Sequence, residues 1–177
     1  MKTAFEQAID YTFGNEGGFG DDPNDSGGPT NFGITQGDLA RWRNRPVSAQ
    51  EVKEMGADEA KGIYSAWYWR PLGCDKITSQ AVAICMFDIG IVRGVSIPPQ
   101  YAQEICNAHG AGLVLDGHLG PLSLTAINAI DPKAFVTEFA ARTKSGFLGI
   151  IVRHPTQTVF IKGWLNRAAR LLTLVEK

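Results

Sequence analysis

The sequence predicts a mainly α protein with, at most, a small β-hairpin after the first helix and a wholly helical C-terminal half. Three observations lead there. Apolar residues recur at helical spacing in most segments, helix-start signals precede several of them, and no stretch alternates long enough for an extended strand. At the N-terminus, Phe5, Ala8, Ile9, Thr12 and Phe13 recur at i, i+3, i+4, i+7 and i+8, the stripe of an amphipathic helix. The next member of that series is Glu16, and Gly17-Gly18 reads as the stop. A glycine-rich, acid-studded loop follows, with room for a small hairpin between Gly18 and Gly33.

Thr35 with Asp38 predicts a short helix through Arg43, and Ser48-Ala-Gln-Glu51 has the form of a capping box that starts another. Ala57 to Trp69 reads as a helix that ends before Pro71. Ser79 to Val92 is apolar on nearly every face except at Asp88, as expected of a central buried helix. Pro99 to Ala108 is the next helix, followed by a tight loop from Gly110 to Pro121 and a helix from Leu122 to Ile130. Asp131-Pro132 is an N-cap with proline at the first helical position, opening a helix with Phe135, Phe139 and Arg142 on one side. The last helix, Gln157 to Val175, carries a stripe of Ile161, Trp164, Leu165, Ala168, Leu171, Leu172 and Val175. The seam near Gly94 to Pro99 divides the chain into residues 1–95 and 96–177, packed together or forming one compact domain.

Bulk properties exclude several classes. With 44% apolar and 20% charged residues the chain is an ordinary globular protein rather than a disordered one. Seventeen basic against 18 acidic side chains leave a net charge of −1, which gives no electrostatic case for nucleic acid or an anionic membrane. Cys74, Cys85 and Cys106 lack Cys-x-x-Cys spacing and read as buried free thiols. The start lacks the pattern of a secretory signal, and the longest apolar run, Ala81 to Phe87, falls far short of the ~20 residues of a membrane span. His109, His118 and His154 show no metal-ligand spacing, so neither a metal nor another cofactor is expected. No Ser/His/Asp or Cys/His arrangement points to an amidase or peptidase.

The chemistry concentrates between Glu16 and Thr35. A carboxyl group on an apolar stripe and at the negative end of a helix dipole keeps its proton more readily, which suits a general acid. Asp21, Asp22 and Asp25 follow within the loop, then Thr30. Glycosidic cleavage commonly uses two carboxyl groups: one protonates the leaving oxygen, the other stabilises the cation, activates water or attacks. Glu16 and one of the aspartates can supply both, with Thr30 positioning a water. The same acidic run resembles a calcium loop in composition but lacks the spacing and terminal Glu of an EF-hand. Farther on, Tyr64, Trp67 and Tyr68 share one stripe suited to core packing, whereas Trp69 falls off it and is the candidate for a sugar-binding cleft. Asp88, alone in an apolar helix, is either a cleft residue or a buried acid paired with an arginine; burial requires a partner, with Arg93 and Arg142 as candidates.

The run Glu16-Gly-Gly-Phe, then Asp22-Pro-Asn-Asp25-Ser-Gly-Gly-Pro-Thr30-Asn31-Phe-Gly-Ile-Thr35, resembles the signature of glycoside hydrolase family 108, lysozyme-like N-acetylmuramidases of phages and bacteria. The likeness resumes more loosely at Tyr68-Trp69 and from Phe87 to Gly94. It departs at Ser26, where proline is common, and at Arg93, where Asn or a nearby polar residue is expected. The resemblance implies a lysozyme-like fold and cleavage of the β-1,4 bond between N-acetylmuramic acid and N-acetylglucosamine, with Glu16 as catalytic acid. Asp25 is then the favoured second carboxylate, with Asp21 and Asp22 as alternates, Thr30 completes the catalytic set, and Asn31 and Trp69 contact substrate. Residues Asp116-Gly117-His-Leu-Gly120-Pro121 and Thr125 resemble the core of small helical peptidoglycan-binding modules. Asp116 and Gly117 either grip the wall polymer or fix the turn between two helices.

The expected partner is therefore the glycan strand of peptidoglycan, approached by a monomer that reaches the wall through a holin, a secretion machine or cell lysis. A phage or prophage endolysin is the leading role and a secreted antibacterial effector or remodelling enzyme the second. The rival readings are a lytic transglycosylase on the same substrate, a chitinase-type hydrolase and a catalytically silent wall-binding or secretion-accessory protein.

Overall fold

The structure, a computed structural model, describes residues 2–14, 19–20 and 28–176. It is mainly α, and one two-stranded antiparallel hairpin is present among the described residues. The chain forms two compact units, Met1–Trp67 and Tyr68–Lys177.

In the first unit, α1 (Ala4–Phe13) starts at a capping box: the Thr3 hydroxyl oxygen accepts from the Glu6 N–H while the Glu6 carboxylate accepts from the Thr3 N–H. Ala8 and Thr12 are its buried positions. The helix stops earlier than the stripe suggested. Gly14 caps it at φ 59°, a left-handed value that glycine adopts without strain, so the stop precedes Glu16 and Gly17-Gly18, which lie outside the described residues. The hairpin pairs β1 (Thr30–Asn31) with β2 (Ile34–Thr35) around Phe32 and Gly33, both at positive φ, the requirement of a tight type I′ connection. Helix α2 (Gln36–Arg43) begins with the Thr35 oxygen accepting from the Asp38 N–H, and α3 (Ala49–Lys53) with the Ser48–Glu51 capping box. Helix α4 (Ala57–Tyr64) runs into a π turn over Ser65–Trp69.

In the second unit, α5 (Gln80–Arg93) has Val82 through Gly90 buried and packs against α6 (Ile97–Ala108) and α8 (Pro132–Arg153). Helix α7 (Pro121–Ala129) lies on α6. Phe87, Phe135, Phe139 and Phe147 are fully buried in this core, with Phe135 and Phe139 stacked at 5.9 Å. The final helix is shorter than its stripe predicts. Pro155–Phe160 and Leu171–Leu174 are 3-10 turns, and α9 covers Ile161–Arg170. Proline at the start lacks an N–H, and the Thr158 and Thr173 hydroxyls donate to the carbonyls three residues back, Pro155 at 2.6 Å and Arg170 at 2.8 Å, which favours the tighter turn.

Asp88 is buried with 0% exposure, and its partner is neither Arg93 nor Arg142. Arg167 of α9 donates Nε and Nη2 to the two carboxylate oxygens at 2.8 Å each, with Arg170 at 3.7 Å. A guanidinium reaching back from 79 residues later offers the bidentate fork that a carboxylate without access to water requires. Arg142 instead pairs with Glu104 and Glu138, and Arg93 lies over the Phe147 ring. Cys74, Cys85 and Cys106 are buried free thiols, and burial raises the pKa of each. No helix among the described residues is long and apolar enough to cross a membrane.

Candidate active site

Glu16, Asp21, Asp22 and Asp25 lie outside the described residues. The structure describes the frame that carries the chain into and out of that segment. On the entering side, the Phe13 ring meets Tyr64 of α4 at 4.6 Å, the two planes tilted by 42°. The Tyr64 hydroxyl donates to the Phe32 carbonyl at 3.0 Å, tying the hairpin turn to the end of α1. Gly33 is required at that turn: a Cβ there would lie 2.8 Å from the Tyr64 hydroxyl oxygen, and its φ is 74°. Around this junction Ile9, Phe13, Phe32, Ala60 and Tyr64 enclose a cleft of about 230 Å³.

On the leaving side, Gly20 and Thr30 exchange two backbone hydrogen bonds, both 2.8 Å, so the residues on either side of 21–27 are pinned together. Thr30 is half-buried, and its hydroxyl donates to the Gly28 carbonyl at 3.0 Å. Its oxygen lone pairs remain able to accept, so the hydroxyl can orient a water by receiving one of its hydrogens.

Two residues expected at the substrate are placed in the protein interior. Asn31 is 5% exposed, and its amide nitrogen donates to the carbonyls of Val52, Lys53 and Met55 at 3.0, 3.1 and 3.4 Å. It gathers three carbonyls at and beyond the end of α3, where backbone partners run short, so the amide is a structural staple. Trp69 is 6% exposed and meets Phe87 edge-on at 5.7 Å. Trp69 ends a π turn, whose period differs from the α-helical spacing that put it off the core stripe. Trp67, on the expected core stripe, is half-buried instead, under the Arg41 guanidinium at 4.2 Å and edge-on to Trp42.

In the second unit the loop between α6 and α7 is organised by a residue the sequence reading passed over. Gln103 is 1% exposed; its amide nitrogen donates to the Asp116 carboxylate at 2.7 Å and to the His118 carbonyl at 2.9 Å. Its amide oxygen accepts from the Gly117 N–H at 2.9 Å. Gly117 sits at φ 72°, so Asp116 and Gly117 do build the turn. The Gln103 amide first, then the His118 N–H, holds the Asp116 carboxyl below its ordinary pKa. A polar side chain beside Ala102, Ile105 and Cys106 on a helix face was the available signal for Gln103. Below this loop runs a groove of about 920 Å³, lined among others by Val114, Asp116, His118, Leu122, Thr125 and Asp131. Val114 and Leu122 are 76% and 79% exposed, and Asp116 brings a carboxylate to the same groove.

Comparison with known proteins matches both halves. The family model described as Glycosyl hydrolase 108 matches residues 9–94, and one described as Predicted Peptidoglycan domain matches residues 97–169. A solved structure of SagA from Brucella abortus aligns with a TM-score of 0.77 at 30% identity, covering 96% of this chain and 91% of that one. No curated protein matches the chain.

Proposed function

Because the chain belongs to the glycosyl hydrolase 108 family, with a peptidoglycan domain behind the hydrolase region, we propose that it hydrolyses the β-1,4 bond between N-acetylmuramic acid and N-acetylglucosamine. As a glycoside hydrolase acting on peptidoglycan, it works at the cell wall. The observation that carries the finer reading is that the family match spans the whole Glu16-to-Thr35 segment.

Glu16, protonated, donates to the leaving glycosidic oxygen, and the bond breaks as positive charge develops on the sugar ring. Asp25 stabilises that charge and either attacks the anomeric carbon or activates water; Asp21 and Asp22 are the alternates. Thr30 orients the water as acceptor, a role supported by its hydroxyl hydrogen being committed to the Gly28 carbonyl. The Gly20–Thr30 hydrogen bonds hold together the described residues that flank Asp21, Asp22 and Asp25 in sequence. Neither Asn31 nor Trp69 is retained as a substrate contact, because both are buried.

Residues 1–95 then carry the chemistry and 96–177 hold the polymer, with Asp116 and the groove beneath its loop as the holding surface. The role we assign is that of an endolysin-type lytic enzyme, on the strength of the likeness to phage and bacterial muramidases. Turbidity of purified sacculi tests the activity: wild type clears the suspension and Glu16→Gln leaves it turbid. Clearing by Glu16→Gln at the wild-type rate would remove Glu16 from the mechanism.

A further inference from the structure

Arg93, the last residue of α5, bears a charge that enters no ion pair among the described residues. Its Nη1 is buried without a hydrogen-bond partner, and the guanidinium lies 5.3 Å from the centre of the Phe147 ring. It lines a cleft of about 390 Å³ together with Phe147, His154, Gln157 and Trp164. Phe147 and Trp164 stack at 5.2 Å and 16°, which fixes that wall. The lining contains a guanidinium, an imidazole and an amide but no Asp or Glu.

A partly buried charge with no counter-charge is unfavourable, and a carboxylate is the group whose planar geometry a guanidinium fork receives best. The aromatic and aliphatic walls add room for a small apolar side chain beside it, and the volume lies toward the lower end of small-ligand sites, about 300–1,000 Å³. Peptidoglycan offers such a group: its stem peptides end in D-alanine, a methyl side chain next to a free carboxylate. A pyranose ring fits less well, since Phe147 is fully buried and presents no open face for stacking. We propose that the Arg93 cleft binds the free C-terminal carboxylate of a peptidoglycan stem peptide. This rests on peptidoglycan being the substrate. It places at Arg93 a specificity for uncrosslinked stems.

The test is a titration of the full-length protein with N-acetyl-D-alanyl-D-alanine, its C-terminal carboxamide and inorganic phosphate. It is followed by nuclear magnetic resonance of the Trp164 indole N–H and of the amides around Arg93 and Phe147. The dipeptide should shift these signals, and the carboxamide should bind at least about tenfold more weakly, the scale of one charge-assisted hydrogen bond. Arg93→Gln, shown folded by its unchanged far-ultraviolet dichroism, should lose the dipeptide to the same extent. Equal binding of the carboxamide, equal binding of phosphate, no response of these signals, or full binding by Arg93→Gln would each overturn the proposal. Digestion of sacculi by the wild type in parallel separates the two ideas: digestion without dipeptide binding sinks the cleft alone, while absent digestion sinks the muramidase reading.

Discussion

The buried pair between Asp88 and Arg167 makes an asymmetric prediction. Asp88 has no exposed surface, whereas 27% of the Arg167 side chain meets solvent. Replacing Arg167 by Met strands a carboxylate that cannot reach water, leaving it the more distant Arg170 guanidinium at 3.7 Å. Breaking a buried pair from that side costs about 3–5 kcal/mol. Replacing Asp88 by Asn strands a guanidinium that can turn toward solvent and still donate to the amide oxygen, so the loss is nearer the 1–3 kcal/mol of an imperfectly satisfied polar group. For a chain of this length each kcal/mol moves the melting temperature by about 2–4 °C. Calorimetry should therefore show Arg167→Met melting on the order of 10 °C below wild type and Asp88→Asn falling less. The combined Asp88→Leu, Arg167→Met variant should recover part of the loss, because apolar replacement removes the stranded charge along with its partner. An Asp88→Asn loss larger than that of Arg167→Met, or losses below about 1 kcal/mol for both, would refute the reasoning.

Other consequences follow from single contacts. The Arg45 guanidinium and the Ser48 N–H draw the Glu51 carboxyl down to about 2 from 4.5. Such a group contributes stability in full above its unfolded value and loses it as pH falls toward the folded one, so Glu51→Gln should flatten the fall in melting temperature between pH 4.5 and 2. The pair being partly exposed, added salt should shrink the difference. A Cβ at Gly90 would lie 2.5 Å from Leu72 Cδ1 in a fully buried neighbour, so Gly90→Ala should destabilise by about 1–3 kcal/mol in urea unfolding. Gln103→Ala removes three hydrogen bonds from the loop after α6 and should speed amide exchange at Gly117 while weakening pelleting on sacculi.

Much of the fold was readable because helix starts announce themselves locally. Thr35 with Asp38, Ser48 with Glu51, Ser79 and Asp131 each place an acceptor where a free N–H needs one, and all four cap their helices. Helix ends were harder. The stripe through Phe13 extrapolates to Glu16, yet Gly14 breaks it, because a backbone at φ 59° overrides side-chain periodicity. Trp69 was misplaced for a related reason: a π turn changes the period from which a face is inferred, and sequence spacing assumes one period throughout. Asp88 visibly needed a partner, but the choice among arginines depends on how α9 returns to α5, a long-range fact absent from local pattern. Asn31 lies within a motif that reads as chemistry, while its amide is occupied by the carbonyls around the end of α3.

The central claim is that Glu16 protonates the bond between N-acetylmuramic acid and N-acetylglucosamine for attack by water. Mass spectrometry of soluble products from purified sacculi, digested by wild type, Glu16→Gln and Asp25→Asn, tests it most directly. The account predicts products with reducing N-acetylmuramic acid ends from wild type, none from Glu16→Gln and a strong reduction from Asp25→Asn. Anhydro-muramic ends, or undiminished reducing ends from Glu16→Gln, would contradict it.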